Sequence, residues 1–130
     1  MWYEYLHNST FICMLYKDVP DLENIEIAGV QVVSDGPTIK IGFDFPRFAD
    51  FPPKKWDPSF NTVGMVLEFC ECSDLFWKGW CDTNIGSISI TKESSGSFSV
   101  LVKTNEGQIS FKSRFIFTQD IHGTCRRDRV

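Results

Sequence analysis

The sequence predicts an α+β fold: one domain over residues 1–130, in which an N-terminal α-helix packs on an antiparallel meander β-sheet of about six strands. Three observations support this. The length suits one hydrophobic core, because a chain of this size removes roughly two-thirds of its unfolded surface from water. Helical spacing of apolar residues occurs once, near the N-terminus. After it the apolar pattern changes to a period of two, broken by turn residues.

The helix is predicted to begin at Asn8, Ser9 or Thr10, which are good N-cap residues, and to end before Val19-Pro20. The apolar residues at helical spacing between these points are Phe11, Ile12, Met14, Leu15 and Tyr16.

Alternating apolar and polar residues then predict the strands. Asp35-Gly36 supplies a tight turn between the first two, and Pro37 lies where the next strand begins and a missing N–H is tolerated. The predicted strands fall within residues 25–33, 38–45, 63–69, 88–90, 98–102 and 109–117.

Two connections are longer than a meander needs, residues 46–61 and 73–84. Long connections in a compact domain are usually functional or packed as structures of their own. Pro46, Pro52 and Pro53 fix φ in the first, which predicts a rigid segment.

Both connections combine aromatic residues with carboxylates. Aromatic anchors beside charged groups are where binding energy concentrates in protein interfaces. We therefore predict a partner-binding surface that contains Asp50 and Phe51 from the first connection and Asp74 and Trp77 from the second.

Charge and motifs narrow the function. A net charge of −4 and a pI of about 5.1 argue against a general nucleic-acid binder. Catalytic and phosphate-binding motifs are absent, and the sequence has only two histidines, so no enzyme activity and no cofactor are expected. Neither a signal peptide nor a membrane span is apparent, and five irregularly spaced cysteines fit reduced thiols in the cytoplasm.

Two other functions remain open. Cys70 and Cys72 would share one side of a strand and could hold a soft metal, which would make the protein a metal-binding factor or a small enzyme. No second cysteine pair accompanies them, so no metal is expected. Alternatively, the aromatic residues could form the interface of an obligate structural subunit.

Several short motifs resemble bacterial immunity protein family 50. The most distinctive is DFPRFADFPPKKW, residues 44–56. The others, in chain order, are Leu15-Tyr16, Val19-Pro20-Asp21-Leu22, Gly36-Pro37-Thr38, Leu67-Glu68-Phe69, Asp74-Leu75 and Gly79-Trp80. The resemblance covers about the first two-thirds of the chain.

This resemblance implies a cytoplasmic inhibitor that neutralises the cognate toxin of a polymorphic toxin system by stoichiometric occlusion. Some motif residues are expected to serve the fold instead: Gly36 and Pro37 at the hairpin, and Trp56 and Trp80 as a largely buried packing pair.

Overall fold

The computed structural model describes residues 1–129. A 3-10 helix, Trp2–Tyr5, precedes one α-helix, α1 (Thr10–Leu15). The strands are β1 (Ile25–Val33), β2 (Thr38–Asp44), β3 (Thr62–Cys70), β4 (Ser73–Lys78), β5 (Asn84–Lys92), β6 (Phe98–Thr104), β7 (Gln108–Ser113) and β8 (Phe115–Thr124).

The predicted N-terminal helix forms, but it has only six residues and Ser9 caps it without a side-chain hydrogen bond. It buries Ile12 and Leu15 in the core and leaves Phe11 and Met14 exposed. Part of the apolar stripe of α1 therefore faces solvent. Most of the fold is formed by the sheet and not by this helix.

All eight strands belong to one antiparallel sheet in the order β4-β7-β6-β5-β1-β2-β3-β8. The sheet is not the predicted meander, because β1 pairs with β5, β3 with β8 and β4 with β7. The prediction of about six strands was also too low, for two reasons. Residues 73–78 form β4, where a connection was expected, and the predicted last strand is divided at Arg114 into β7 and β8. Every residue of β4 is exposed, so its sequence carries no alternation between a buried and an exposed face.

Each end strand of the sheet, β4 and β8, follows directly in sequence after a strand near the opposite end of the sheet. β4 continues β3 after Glu71 and Cys72, while β8 continues β7 after Arg114. β3 pairs with β8 and β4 pairs with β7, so these four strands form one long, interrupted antiparallel ladder. The sheet therefore curves until its ends meet at this junction, where the Arg114 N–H donates to the Cys70 carbonyl at 3.1 Å.

The end strand β8 is covered by the N-terminal segment. The His7 N–H donates to the Ile116 carbonyl at 3.0 Å, and the Thr118 N–H donates to Asn8 Oδ1 at 2.9 Å. The other end strand, β4, pairs only with β7 within the described residues. The sheet thus has one covered edge and one open edge.

Gly36 and Pro37 lie in the connection between β1 and β2, as predicted. Gly36 has a φ of 97°, which favours glycine, but Asp35 does not share the left-handed conformation that a tight two-residue turn would need. The Pro37 carbonyl accepts a hydrogen bond from the Cys72 N–H at 2.9 Å, so the hairpin end is tied to the chain just before β4.

Residues 125–129, which follow β8, are held against the fold. Asn61 Nδ2 donates to the carbonyls of Arg126 at 2.8 Å and Arg129 at 2.6 Å. The Arg126 guanidinium contacts Glu26 and lies 3.1 Å from an Asp44 carboxylate oxygen. This segment covers the end of the sheet at which β2 ends and β3 begins.

Candidate partner-binding surfaces

Residues 46–61 form an irregular but ordered connection between β2 and β3. The Tyr16 hydroxyl donates to the Arg47 carbonyl at 2.7 Å, and the Phe51 N–H donates to the Leu15 carbonyl at 2.9 Å. Burial raises the pKa of Tyr16, so the phenol remains a donor. These contacts fix the connection to the end of α1.

Asp50, a predicted partner residue, is engaged within this connection. It accepts from the Lys17 N–H at 3.0 Å and from Arg47 Nη1 at 2.9 Å. The hydrogen bond from the Lys17 backbone, followed by that from Arg47, lowers the pKa of the Asp50 carboxyl. Asp50 thus positions its neighbours, and its charge is matched by Arg47.

Phe51 follows directly and is 59% exposed. Met14, 64% exposed, lies next to Leu15, whose carbonyl accepts the Phe51 N–H; Phe11 is 37% exposed one helical turn before Met14. We call Phe11, Met14 and Phe51 the helix surface. Helical spacing alone does not show which part of an apolar stripe the sheet covers, and here the sheet leaves Phe11 and Met14 outside the core.

Trp56 packs at the base of the same connection. Its ring centroid lies 6.2 Å from those of Phe48 and Phe60 and 6.4 Å from that of Phe11. Its indole ring also lies against Gly123, where a β-carbon would come within 2.8 Å of it. Trp56 is half-buried and packs against the core.

The second predicted pair, Asp74 and Trp77, lies on β4. Leu75 and Phe76 are 44% and 51% exposed, and Trp77 and Trp80 are 40% and 42% exposed. We call Leu75, Phe76, Trp77 and Trp80 the β4 surface.

Trp80 belongs to this surface and not to the core, so the prediction that it is largely buried was wrong. Its aromatic partner is Trp77, with ring centroids 5.7 Å apart in an edge-to-face arrangement, whereas Trp56 packs in a separate cluster. Trp77 is paired with buried Ile109 of β7 and so lies on the inner face of the sheet. At Trp77, the face of the sheet that covers the core therefore extends into solvent.

The two surfaces lie beyond opposite ends of β3. The connection that carries Asp50 and Phe51 leads into Thr62, and β4 follows Cys70. A nine-residue strand at ~3.3 Å per residue separates its ends by about 26 Å. The four predicted partner residues therefore form two separate pairs.

The cysteine pair does not resemble a metal site. The Cys72 thiol is buried and donates to the Phe69 carbonyl at 3.2 Å, while Cys70 Sγ lies 3.5 Å from Glu68. Burial raises the pKa of both thiols, which disfavours the thiolates that bind metals. Within residues 1–129, no group of three or more His, Cys, Asp or Glu side chains could hold a metal ion.

The histidines make other contacts. His122 Nδ1 lies 2.7 Å from the Asp120 carboxylate, and His7 stacks on Phe117 at 4.6 Å between centroids. In the described part of the chain no serine or cysteine forms a hydrogen bond with either ring, so no nucleophile is paired with a base. That part also contains no helix long and apolar enough to cross a membrane.

Residues 8–123 match the family model described as Immunity protein 50, and the chain therefore belongs to this family. The match extends well beyond the two-thirds of the chain that carried the resemblance in sequence. It supports a general role as an immunity protein, and hence a protein toxin as the partner. Searches of curated proteins and of solved structures found no match.

Proposed function

We propose that this protein binds the cognate toxin of a polymorphic toxin system in the bacterial cytoplasm and neutralises it by stoichiometric occlusion, without turnover. The observation that carries the proposal is that an immunity-family fold presents four large apolar side chains at one edge of its sheet. Exposed aromatic residues beside charged ones have the composition of a protein interface.

The proposed contact residues are Phe51 with Asp50 at the helix surface and Trp77 with Asp74 at the β4 surface. An interface of standard size covers about 800 Å² on each partner, which corresponds to a patch roughly 30 Å wide. Since the two surfaces are about 26 Å apart, one toxin domain would contact both of them only with the margins of such an interface. Phe51 and Trp77 are the proposed anchors, and the carboxylates lie beside them.

The test is co-expression with the toxin domain encoded beside this protein, together with titration of the purified complex. Wild-type protein should protect cells and saturate the toxin at one immunity chain per toxin domain. Protection of a large molar excess of toxin would instead reveal turnover and contradict occlusion.

Single variants then identify the surface. Phe51→Ser and Trp77→Ser each remove an exposed anchor, and loss of a true anchor should increase the dissociation rate at least ~30-fold. Val32→Ser is the matched control, because Val32 is 44% exposed on the β1–β2 hairpin. Unchanged dissociation in both anchor variants would place the interface elsewhere. Asp50 is unsuitable for the test, since its replacement disturbs the loop.

A further inference from the structure

Arg47, within the distinctive segment of residues 44–56, joins this connection to the chain that follows α1. Its Nη2 donates to the Asp18 carbonyl at 2.7 Å, and its Nη1 donates to Asp50 Oδ1 at 2.9 Å. The central carbon of the guanidinium lies 4.8 Å from the centre of the Tyr16 ring. The Arg47 carbonyl accepts the Tyr16 hydroxyl at 2.7 Å. Arg47 is thus held through both its side chain and its main chain.

These contacts determine where Phe51 lies. Asp50, which Arg47 holds, also accepts from the Lys17 N–H at 3.0 Å. The next residue, Phe51, donates its N–H to the Leu15 carbonyl at 2.9 Å. The loop from Arg47 to Phe51 is therefore bound to the C-terminal end of α1, and the Phe51 ring is presented there to solvent.

The ion pair of Arg47 with Asp50 adds little to global stability, because 46% of the Arg47 side chain and 37% of the Asp50 side chain are exposed. Its effect is instead to restrict the loop. A loop that is already ordered loses less conformational freedom when a partner binds, so its exposed side chains bind more tightly. An ordered Phe51 is therefore a better anchor than a mobile one.

The set of contacts at Arg47 requires an arginine. A guanidinium is planar and carries five N–H groups, so it can donate to two acceptors while its face lies over an aromatic ring. Here the two acceptors are Asp18 and Asp50, and the ring is that of Tyr16. A lysine at this position would keep the charge but not this fixed geometry.

We propose that Arg47 is the positioning residue of the helix surface: it orders the loop so that Phe51 is presented to the partner in the orientation in which it binds. This inference rests on the proposed function, in which Phe51 is an anchor for the toxin. The effect of Arg47 on binding passes through Phe51 and requires no contact between Arg47 and the toxin.

Hydrogen exchange of the free protein, followed by NMR, tests the ordering of the loop. Arg47→Met should speed exchange of the Phe51 and Lys17 amides at least ~10-fold, because the loop then opens locally, and should leave the amides of β3 unchanged. Lys92→Met, which removes an exposed lysine at the end of β5, is the control and should change neither set. Circular dichroism checks that each variant is folded. Should Arg47→Met fail to fold, Arg47→Lys replaces it, with the same expected result.

The complex with the toxin domain encoded beside this protein tests the effect on binding. Arg47→Met should weaken binding ~10-fold, the cost of ordering the loop on association. In a Phe51→Ser background the same change should weaken binding less than ~2-fold, because no anchor remains to be positioned. In a Trp77→Ser background the full loss should remain. Arg47→Lys should bind as weakly as Arg47→Met, and Lys92→Met should bind as the wild type does.

The outcomes distinguish the role of Arg47 from the proposed function. Unchanged exchange of the Phe51 amide in Arg47→Met, or an equal loss of affinity in the Phe51→Ser background, would overturn the positioning role and leave toxin binding intact. Wild-type affinity in Arg47→Lys would overturn it too, since charge alone would then suffice. Failure of the wild type to bind the toxin, or wild-type affinity in Phe51→Ser, would contradict the proposed function at this surface and the role of Arg47 with it.

Discussion

At the scale of single residues, Trp56 and Trp80 differ more than their sequence contexts indicate. Trp56 contacts three other aromatic rings and Gly123, whereas Trp80 contacts Trp77 at the open edge. Replacing Trp56 by Ala should lower the free energy of unfolding by about 3 kcal/mol, the lower end for tryptophan because it is half-buried. The same change at Trp80 should cost less than about 1 kcal/mol.

Urea unfolding of the two alanine variants, measured side by side, tests this difference. Each variant is the control for the other, since both lose an indole ring. Equal losses of stability would mean that the exposed pair at β4 contributes to the core as much as the Trp56 cluster does.

The lowered pKa of Asp50 gives stability a dependence on pH. The ionised form is favoured in the folded state, so Asp50 stabilises the fold above the ordinary carboxyl pKa of ~3.9, and this contribution is lost as pH falls through the lower folded value. Asp50→Asn should therefore lower the unfolding temperature at neutral pH and have a shrinking effect below about pH 4. Thermal unfolding from pH 7 to pH 2 measures the difference.

Asp82→Asn, at an exposed aspartate, is the control for that series. An Asp50→Asn deficit that stayed constant down to pH 2 would show that the carboxylate charge plays no part in holding the loop.

At the scale of elements, the C-terminal segment stabilises an unfavourable strand pairing. Glu26 of β1 lies directly opposite Asp44 of β2, and like charges in this position repel. The Arg126 guanidinium contacts both carboxylates. Its hydrogen bonds to Asp128, followed by that to Glu26, hold the pKa of Arg126 above its usual range. A segment remote in sequence thus neutralises the β1–β2 pair.

Removing this cation should be costly. Arg126→Met leaves two carboxylates facing each other and should destabilise the protein by about 2 kcal/mol, the range for hydrogen bonds to charged groups. Asp44→Asn in the same chain should restore part of the loss, because the repulsion disappears. Guanidinium unfolding of both variants provides the test, and a double variant no more stable than Arg126→Met would contradict this explanation.

The elements also show what the sequence could predict. The helix and most strands followed from periodicity: in β2, for example, Ile39, Ile41 and Phe43 are buried and alternate with half-buried residues. β4 was missed because an edge strand exposed on both faces has no periodicity. The two proposed partner pairs were chosen because aromatic residues beside carboxylates are recognisable in sequence. Their separation could not be predicted, because it depends on β3, whose ends the sequence alone does not place in space.

At the scale of the whole molecule, the fold separates two apolar surfaces with different local environments. The helix surface lies beside a connection held by Tyr16, Arg47 and Asp50, and the β4 surface lies at an open sheet edge. The first is carried by a fixed loop. The second leaves main-chain groups of an end strand open to another chain.

The pairing of His7 and Asn8 with β8 has a consequence for synthesis. β3 pairs with a strand about fifty residues later in the chain, and that strand in turn binds the residues made first. Neither β3 nor the N-terminal segment can find its final neighbour until residues 115–124 have left the ribosome, and such distant contacts slow folding. A new chain can pair β3 with β2 early, but the other edge of β3 stays without a strand until β8 has been made. The fold on which immunity depends is complete only after that point.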